Sequence, residues 1–336
     1  MEPATDVHAF APGRVNLIGE HTDHTDGLCL PMAVSMGVTV RGRREGDRVV
    51  LSSSEVAGTT DIPLDVEDPA AVDPDWARYA AGVVAELRPA VGFTGGLRSD
   101  VPLGAGMSSS AALTVALALA LGHDGDLEAL ARSCQLAEQR ATGVPCGILD
   151  QLASAAAREG HAFVLDCHTL ERTHVEVPDD IEVRVVHSGQ ERTLAGSAYD
   201  ERRAQCEAAE GVVGPLRLAR PSDLDAIDDP VLRRRARHVV SENQRVRDAA
   251  DALRAGDLGG LGALLDEGHR SLRDDFEVST PVVDATVERL RSQPGVHGVR
   301  LMGGGFGGCV VAVTEPGALD EGWHARPGPG AWVEVG

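Results

Sequence analysis

Apolar and polar positions alternate from Val38 to Arg44 and again from Arg48 to Ser54. Both segments are expected as strands, with Gly46-Asp47 as the turn between them. The acidic, proline-containing run 61–74 loses that period and reads as a surface excursion. Asp75–Leu87 has helical spacing, with Asp75 as the expected N-cap. Gly95–Val101 is expected as a strand that runs into a glycine-rich turn. The helix after it, through Ala111–Leu121 and closed by Gly122, is apolar on every face and should be buried. Leu127–Ala141 reads as an amphipathic helix between an Asp126 cap and Gly143.

The second half repeats the mixture. Strands are expected at Ala162–Cys167, Thr173–Val177 and Ile181–Ser188, and helices at Leu194–Glu210, Pro230–Ala255 and Leu258–Arg273. Asp229 caps the second of these helices, with Pro230 at its first position. Val299–Met302 and Cys309–Thr314 read as strands joined by the loop Gly303–Gly308, and Ala331–Val335 as a tail strand. A chain of 336 residues is long for one core. Two domains, 1–178 and 179–336, are therefore expected, with the boundary near Pro178.

Composition narrows the partners. Apolar content of 43% and charge of 25% are those of a globular protein. A net charge of -21 disfavours nucleic acid and anionic membranes as partners. The longest apolar run, Ala111–Leu121, is too short to span a bilayer. The first residues lack a basic segment followed by an apolar one, and the six cysteines have neither zinc nor disulfide-scaffold spacing. A cytoplasmic protein with reduced thiols is expected. Every basic residue other than histidine is arginine. That excludes a Schiff-base or Walker-type lysine, so phosphate would be held by backbone N–H groups, arginine or a metal.

Three segments carry candidate chemistry. Arg14, Asn16, Glu20, His21, Asp23, His24 and Asp26 crowd polar and ionisable groups into one short run. Carboxylates so placed suit a ligand rich in hydroxyl groups, though the same composition fits a solvated loop. Pro12-Gly13 ahead of it reads as a turn. Gly104-Ala105-Gly106-Met107-Ser108-Ser109-Ser110 opens the buried helix. Small residues there let an anion reach free N–H groups at the positive end of the helix dipole. Glu138 sits in the last turn of its helix, against the dipole, so either a metal partner or a solvated surface position is open to it. Asp150 lies among Leu149, Leu152 and Ala153, where desolvation is expected to call for a cation, and Arg14 is the candidate.

The order of these residues adds a family. Gly13-Arg14-Val15-Asn16-Leu17-Ile18-Gly19-Glu20-His21-Thr22-Asp23 resembles the sugar-binding signature of galactokinases, within the GHMP family of small-molecule kinases. Residues 104–112 are similar to the second GHMP motif, and Cys146-Gly147-Ile148-Leu149-Asp150-Gln151 to a galactokinase motif with Leu149 in place of Met. Ser197-Ala198-Tyr199 with Arg202, Arg203 and Cys206, the block 268–279 with Phe276 for Tyr, and the glycines 303–308 complete the resemblance.

The resemblance implies an α+β, GHMP-kinase-like two-domain fold with the active site in the inter-domain cleft, and phosphorylation of galactose at its C1 hydroxyl by ATP. It implies Glu20, His21, Asp23, Gly147 and Tyr199 around the sugar. The phosphate loop Gly104–Ser110 holds ATP, Trp76 lies beside the adenine, and Ser110 and Glu138 bind Mg²⁺. Asp150 is the implied base and Arg14 its partner. A monomer is expected. His24-Thr25 stand where many relatives have Tyr-Asn, which leaves kinases for N-acetylgalactosamine or arabinose open. A non-catalytic sensor of galactose and ATP is the alternative from another class.

Overall fold

The computed structural model describes residues 4–144, 146–191 and 195–336. Among them eight α-helices follow in order: α1 (Asp75–Leu87), α2 (Ser109–Ala120), α3 (Leu127–Thr142), α4 (Leu149–Ala156), α5 (Ala195–Val213), α6 (Pro230–Ala255), α7 (Leu258–Asp274) and α8 (Pro281–Arg291). Leu194, the expected first residue of the helix now labelled α5, lies outside the described residues.

The largest sheet has six strands in the order Trp332–Val335, Thr5–Asn16, Pro31–Arg44, Phe93–Ser99, Arg48–Ser53 and Thr59–Pro63. Arg48–Ser53 and Phe93–Ser99 pair in parallel. A parallel pair needs a long crossover, and Thr59–Pro63 with α1 supplies it. A second sheet holds Val296–Leu301, Cys309–Thr314, Glu182–His187 and Trp323–His324; a third holds Leu28–Cys29, His161–Asp166 and Arg172–Glu176. The chain's tail strand therefore returns to the sheet that the first strand opened, with Val7 opposite Val335.

Several local expectations are corrected. Pro12-Gly13 is no turn: the strand Thr5–Asn16 runs straight through it, with a register shift between Pro12 and Arg14. Glycine is needed there because a Cβ on Gly13 would stand 2.4 Å from the Met107 carbonyl oxygen. The strand expected from Val38 begins at Pro31, because beyond the exposed Ser35 it continues into Pro31–Val34, an apolar run buried on both faces. The surface excursion 61–74 includes the end of an edge strand, with Ile62 buried in the core. Asp75 is the first helical residue of α1 rather than its cap, and Pro74 holds the cap position. The expected strand Gly95–Val101 runs Phe93–Ser99, and α8 and Trp323–His324 had no expected counterpart.

The apolar helix behaves as its pattern requires. Most of α2 is buried, and it packs with α1 and α3 against the large sheet. Asp126 caps α3 by accepting from the Ala129 N–H, and Gly143 ends it at φ 71°. The α1–α3 crossing is close at Gly82, where a Cβ would stand 2.2 Å from the Ala137 carbonyl oxygen. No helix among the described residues is long and apolar enough to cross a membrane. Gly82→Ala should separate the two helices. The overpacking costs about 1–3 kcal/mol, against roughly 1 kcal/mol of helix propensity regained. Calorimetry should find a lower unfolding midpoint; an unchanged one would mean that the crossing relaxes freely.

Candidate active site

The loop 102–108 makes its turns with Gly104 at φ 75°, Gly106 at φ 66° and Ser108 at φ 54°. Ser108 is at the N-cap of α2, but its left-handed backbone turns the hydroxyl away from the helix. The hydroxyl donates instead to Asp150 Oδ2 at 2.5 Å. No side chain caps α2, so its first-turn N–H groups are left for another acceptor. They adjoin a cavity of about 700 Å³ lined by Gly104, Gly106, Met107, Ser108, Ser109 and Ser110. Ala105 is fully buried in the core, so only its backbone remains for a ligand. Trp76 lines neither this cavity nor its neighbour and packs against the core of α1–α3. His187, Glu191 and Trp323 also line the large cavity, without any sequence motif to mark them.

A second cavity of about 330 Å³ gathers Glu20, His21, Asp23, Glu138, Gly147 and Tyr199. The residues before and after its loop cross closely: Gly19, at φ 100°, has room for no Cβ, which would stand 2.7 Å from Cys29 Cα. Thr22 Oγ1 closes the crossing by donating to the Leu28 carbonyl at 2.7 Å. From behind, α6 holds the loop backbone. Glu242 Oε1 accepts from the Gly19 N–H at 2.9 Å, Asn243 Oδ1 accepts from the Leu28 N–H at 2.7 Å, and His238 Nε2 meets the Glu20 carbonyl at 3.0 Å. No sequence motif marks these residues. Their signal was helical spacing, because polar side chains at 238, 242 and 243 share a stripe with buried Val239 and Val246.

Within the loop each acid has a different task. Glu20 is engaged on both oxygens: Oε2 accepts from Asn16 at 2.8 Å, and Oε1 accepts from the Gly303 N–H at 2.8 Å beside Arg300 at 2.7 Å. Asp23 lies over Gly147, where a Cβ would stand 2.0 Å from its Oδ2. Burial, with Asp150 and Glu20 nearby, pushes the Asp23 carboxyl up to about 6. His21 packs against Phe276 at 4.5 Å and Tyr199 at 5.6 Å between ring centres. His24 sits edge-on to Tyr199 at 5.9 Å, and burial pushes it down to about 4, so it is neutral at pH 7. Thr25 turns inward and donates to the Thr22 carbonyl.

Arg14 and Asp150 line both cavities. Arg14 Nε donates to Asp150 Oδ1 at 2.7 Å, Nη2 stands 2.6 Å from the same oxygen, and Nη1 donates to the Gly106 carbonyl at 3.0 Å. Burial works against the Arg14 charge, but Asp150, Glu20 and Asp23 outweigh it and the guanidinium is raised. The expected desolvation of Asp150 is only partial, since 32% of its side chain is exposed in the cleft. Glu138 is not a surface acid. Ser110 Oγ donates to its Oε1 at 2.8 Å and Gln151 Nε2 to its Oε2 at 2.7 Å, and burial raises its carboxyl.

An uncapped helix N-terminus beside the larger cavity, a smaller cavity lined by the carboxylates of Glu20, Asp23, Glu138 and Asp150, and an ion pair common to both are the parts that a small-molecule kinase requires. Three family models match the chain: the GHMP kinases N terminal domain over 78–158, the GHMP kinases C terminal over 249–327, and the galactokinase galactose-binding signature over 2–44. Human galactokinase is 43% identical over 335 residues, covering 93% of this chain and 85% of its own length. The structure of Lactococcus lactis galactokinase complexed with galactose matches at a TM-score of 0.89 with 31% identity, over 97% of this chain and 95% of that one. Methanococcus jannaschii mevalonate kinase shares the fold at a TM-score of 0.66 with 16% identity, over 94% and 92% of the two chains. The chain belongs to the galactokinase family of GHMP kinases.

Asp23 also gives the site a stability signature. Its carboxyl has a folded pKa of about 6, above the ordinary 3.8. Ionisation therefore penalises the fold increasingly from about pH 4 to 6, and fully above that. Asp23→Asn removes the charge and should stabilise the ligand-free protein at pH 7. With the side chain partly open to the cavity, the gain is on the order of 1–2 kcal/mol. Unfolding midpoints at several pH values check this; a gain that does not fade below about pH 4 rules the cause out.

Proposed function

We propose that the chain transfers the γ-phosphoryl group of ATP to the C1 hydroxyl of galactose. One observation carries the reading: Arg14 and Asp150 belong to both cavities, so a hydroxyl in the smaller meets a phosphate in the larger at that pair. The cleft would lie between the halves 1–178 and 179–336, with Arg14 and Asp150 contributed by the first and Tyr199 and Gly303 by the second. The six cysteines, none of them in a disulfide among the described residues, support a cytoplasmic setting.

In this reading Asp23, His21 and Tyr199 orient the sugar, Gly147 gives it room, and Glu20 holds the loop against Gly303. The N–H groups of 104–110 take the triphosphate. Asp150 has free lone pairs on both oxygens beside those used by Arg14 and Ser108, and it accepts the C1 hydroxyl proton as the hydroxyl oxygen attacks phosphorus. Arg14 holds the carboxylate aligned, and its guanidinium lies where charge spreads over the transferring group. Trp76 has no comparable support as an adenine contact.

The Ser110 hydroxyl and the Glu138 carboxylate fit Mg²⁺. Both donors are oxygens, they stand 2.8 Å apart, and burial leaves Glu138 in want of a cation. Bound there, the ion supplies neutralisation of phosphate charge. Among the described residues no group of three His, Cys, Asp or Glu side chains could hold a metal alone, so phosphate oxygens and water would complete the shell.

ATP consumption should be strongest with galactose in a panel that includes N-acetylgalactosamine, arabinose, glucose and mevalonate; preference for another sugar would reassign the substrate. Asp150→Asn should lower kcat by on the order of 10²–10⁴, and near-normal turnover would remove the base from the mechanism. Gly147→Ala, which drives a methyl group into Asp23, should raise KM for galactose and leave that for ATP unchanged. Equal effects on both substrates would contradict the division into two cavities.

A further inference from the structure

A third cavity shares no lining residue with the two described above. It is a groove of about 490 Å³ between α6 and residues 216–221. Arg217, Arg220, Arg245 and Arg247 line it, in a chain whose net charge is -21. Arg217 is paired with Asp166 at 3.0 Å and Arg245 with Glu242 at 2.7 Å. Arg220 and Arg247 have no ion pair among the described residues. Two acids also stand on the wall: Asp248 accepts from Gln244 at 2.8 Å, and Glu267 lies 4.0 Å from Arg270.

The inner wall carries donors without acceptors. Asn243 is 4% exposed. Its Oδ1 is fixed by the Leu28 N–H, so the orientation of the amide is determined. Nδ2 then has no partner among the described residues, and neither does Arg245 Nη2. Buried donors are normally satisfied, and an unsatisfied set of them points to a missing acceptor. The same residues hold the sugar loop. Asn243 accepts from Leu28, Arg217 Nε donates to the Asp26 carbonyl at 2.9 Å, and Glu242, the partner of Arg245, accepts from Gly19.

We propose that this groove is an anion site for phosphate or a phosphate monoester, set against the back of the sugar loop and coupled to it. A tetrahedral oxyanion between Arg220 and Arg247 offers several acceptors to planar guanidinium forks and to the unpaired amide. Its occupation stiffens the residues that anchor Gly19, Asp26 and Leu28, so galactose binds more tightly, and by linkage galactose tightens the anion. The coupling, though not the anion binding, rests on the smaller cavity being the galactose site.

The test uses inorganic phosphate at constant ionic strength, with chloride as the control and glycerol phosphate as the monoester. Phosphate should raise the unfolding midpoint of the ligand-free protein. It should also tighten galactose binding, measured by calorimetry without nucleotide, at least about fivefold. Both effects should vanish in Arg220→Ala/Arg247→Ala, which keeps ordinary galactose affinity and kcat in phosphate-free buffer. Asn243→Asp keeps an acceptor for Leu28 and loses the amide donor, so it too should ignore phosphate. An equal phosphate response in the double variant would assign the effect to the phosphate loop and overturn the groove, as would no thermal shift in the wild type. A stronger response to glycerol phosphate would identify the ligand class as an ester. A thermal shift that depends on the groove arginines, with no galactose binding at all, would keep the anion site and sink the functional reading instead.

Discussion

The pair of Arg14 and Asp150 is the contact on which the rest of the site depends. Arg14 comes from the first strand of the large sheet, Asp150 from the first turn of α4, and the loop that opens α2 is tied to both. Arg14 is 10% exposed at its side chain, so removing Asp150 would strand its charge in a largely dry place, whereas Asp150, 32% exposed, keeps some access to water. Such losses cost several times what an exposed pair contributes. The pair also explains why Ser108 tolerates a left-handed backbone. Its hydroxyl serves Asp150 and leaves the helix end uncapped for an anion.

Behind this pair the protein spends buried charge on rigidity. Burial alone would raise Glu242, yet Arg245, His238 and Arg300 bring it down to about 2. Arg300 is wholly buried and reaches Glu20, which in turn fixes Gly303. The sugar loop is thus fastened from the strand Val296–Leu301, from the glycine-rich loop and from α6. Glycine at 303–308 matters less for flexibility than for closeness. Gly305, for example, is at φ 84° and would put a Cβ 2.6 Å from the Val278 carbonyl oxygen.

Much of this was legible in the sequence because it rests on local order. The buried α2, the Asp126 and Asp229 caps and the α6 boundaries follow from periodicity and capping chemistry. The motif residues Glu20, His21, Asp23, Gly147 and Tyr199 do meet in one cavity. What escaped depends on tertiary position. Pro12-Gly13 looks like a turn until the Met107 carbonyl crosses it. Glu20 lines the cavity as expected, but its bonds from Asn16, Arg300 and Gly303 join residues that no local motif links. Asp150 looks desolvated from its neighbours in sequence, but those neighbours point into the core while its carboxylate opens to the cleft. The parallel pairing of Arg48–Ser53 with Phe93–Ser99, and the return of the tail strand, are long-range choices that no window of sequence contains.

The grip of α6 on the sugar loop bears on how such an enzyme could be re-tooled. Glu242, His238 and Asn243 touch the loop's backbone and line no part of the smaller cavity. A mutant library drawn only from cavity-lining positions would change side chains on a loop whose path stays fixed. Accepting a sugar of different outline calls for the path itself to move, and α6 is one of the three elements that hold it. Selection experiments that randomise 238, 242 and 243 together with His24 would therefore search a shape space that pocket-only randomisation cannot enter.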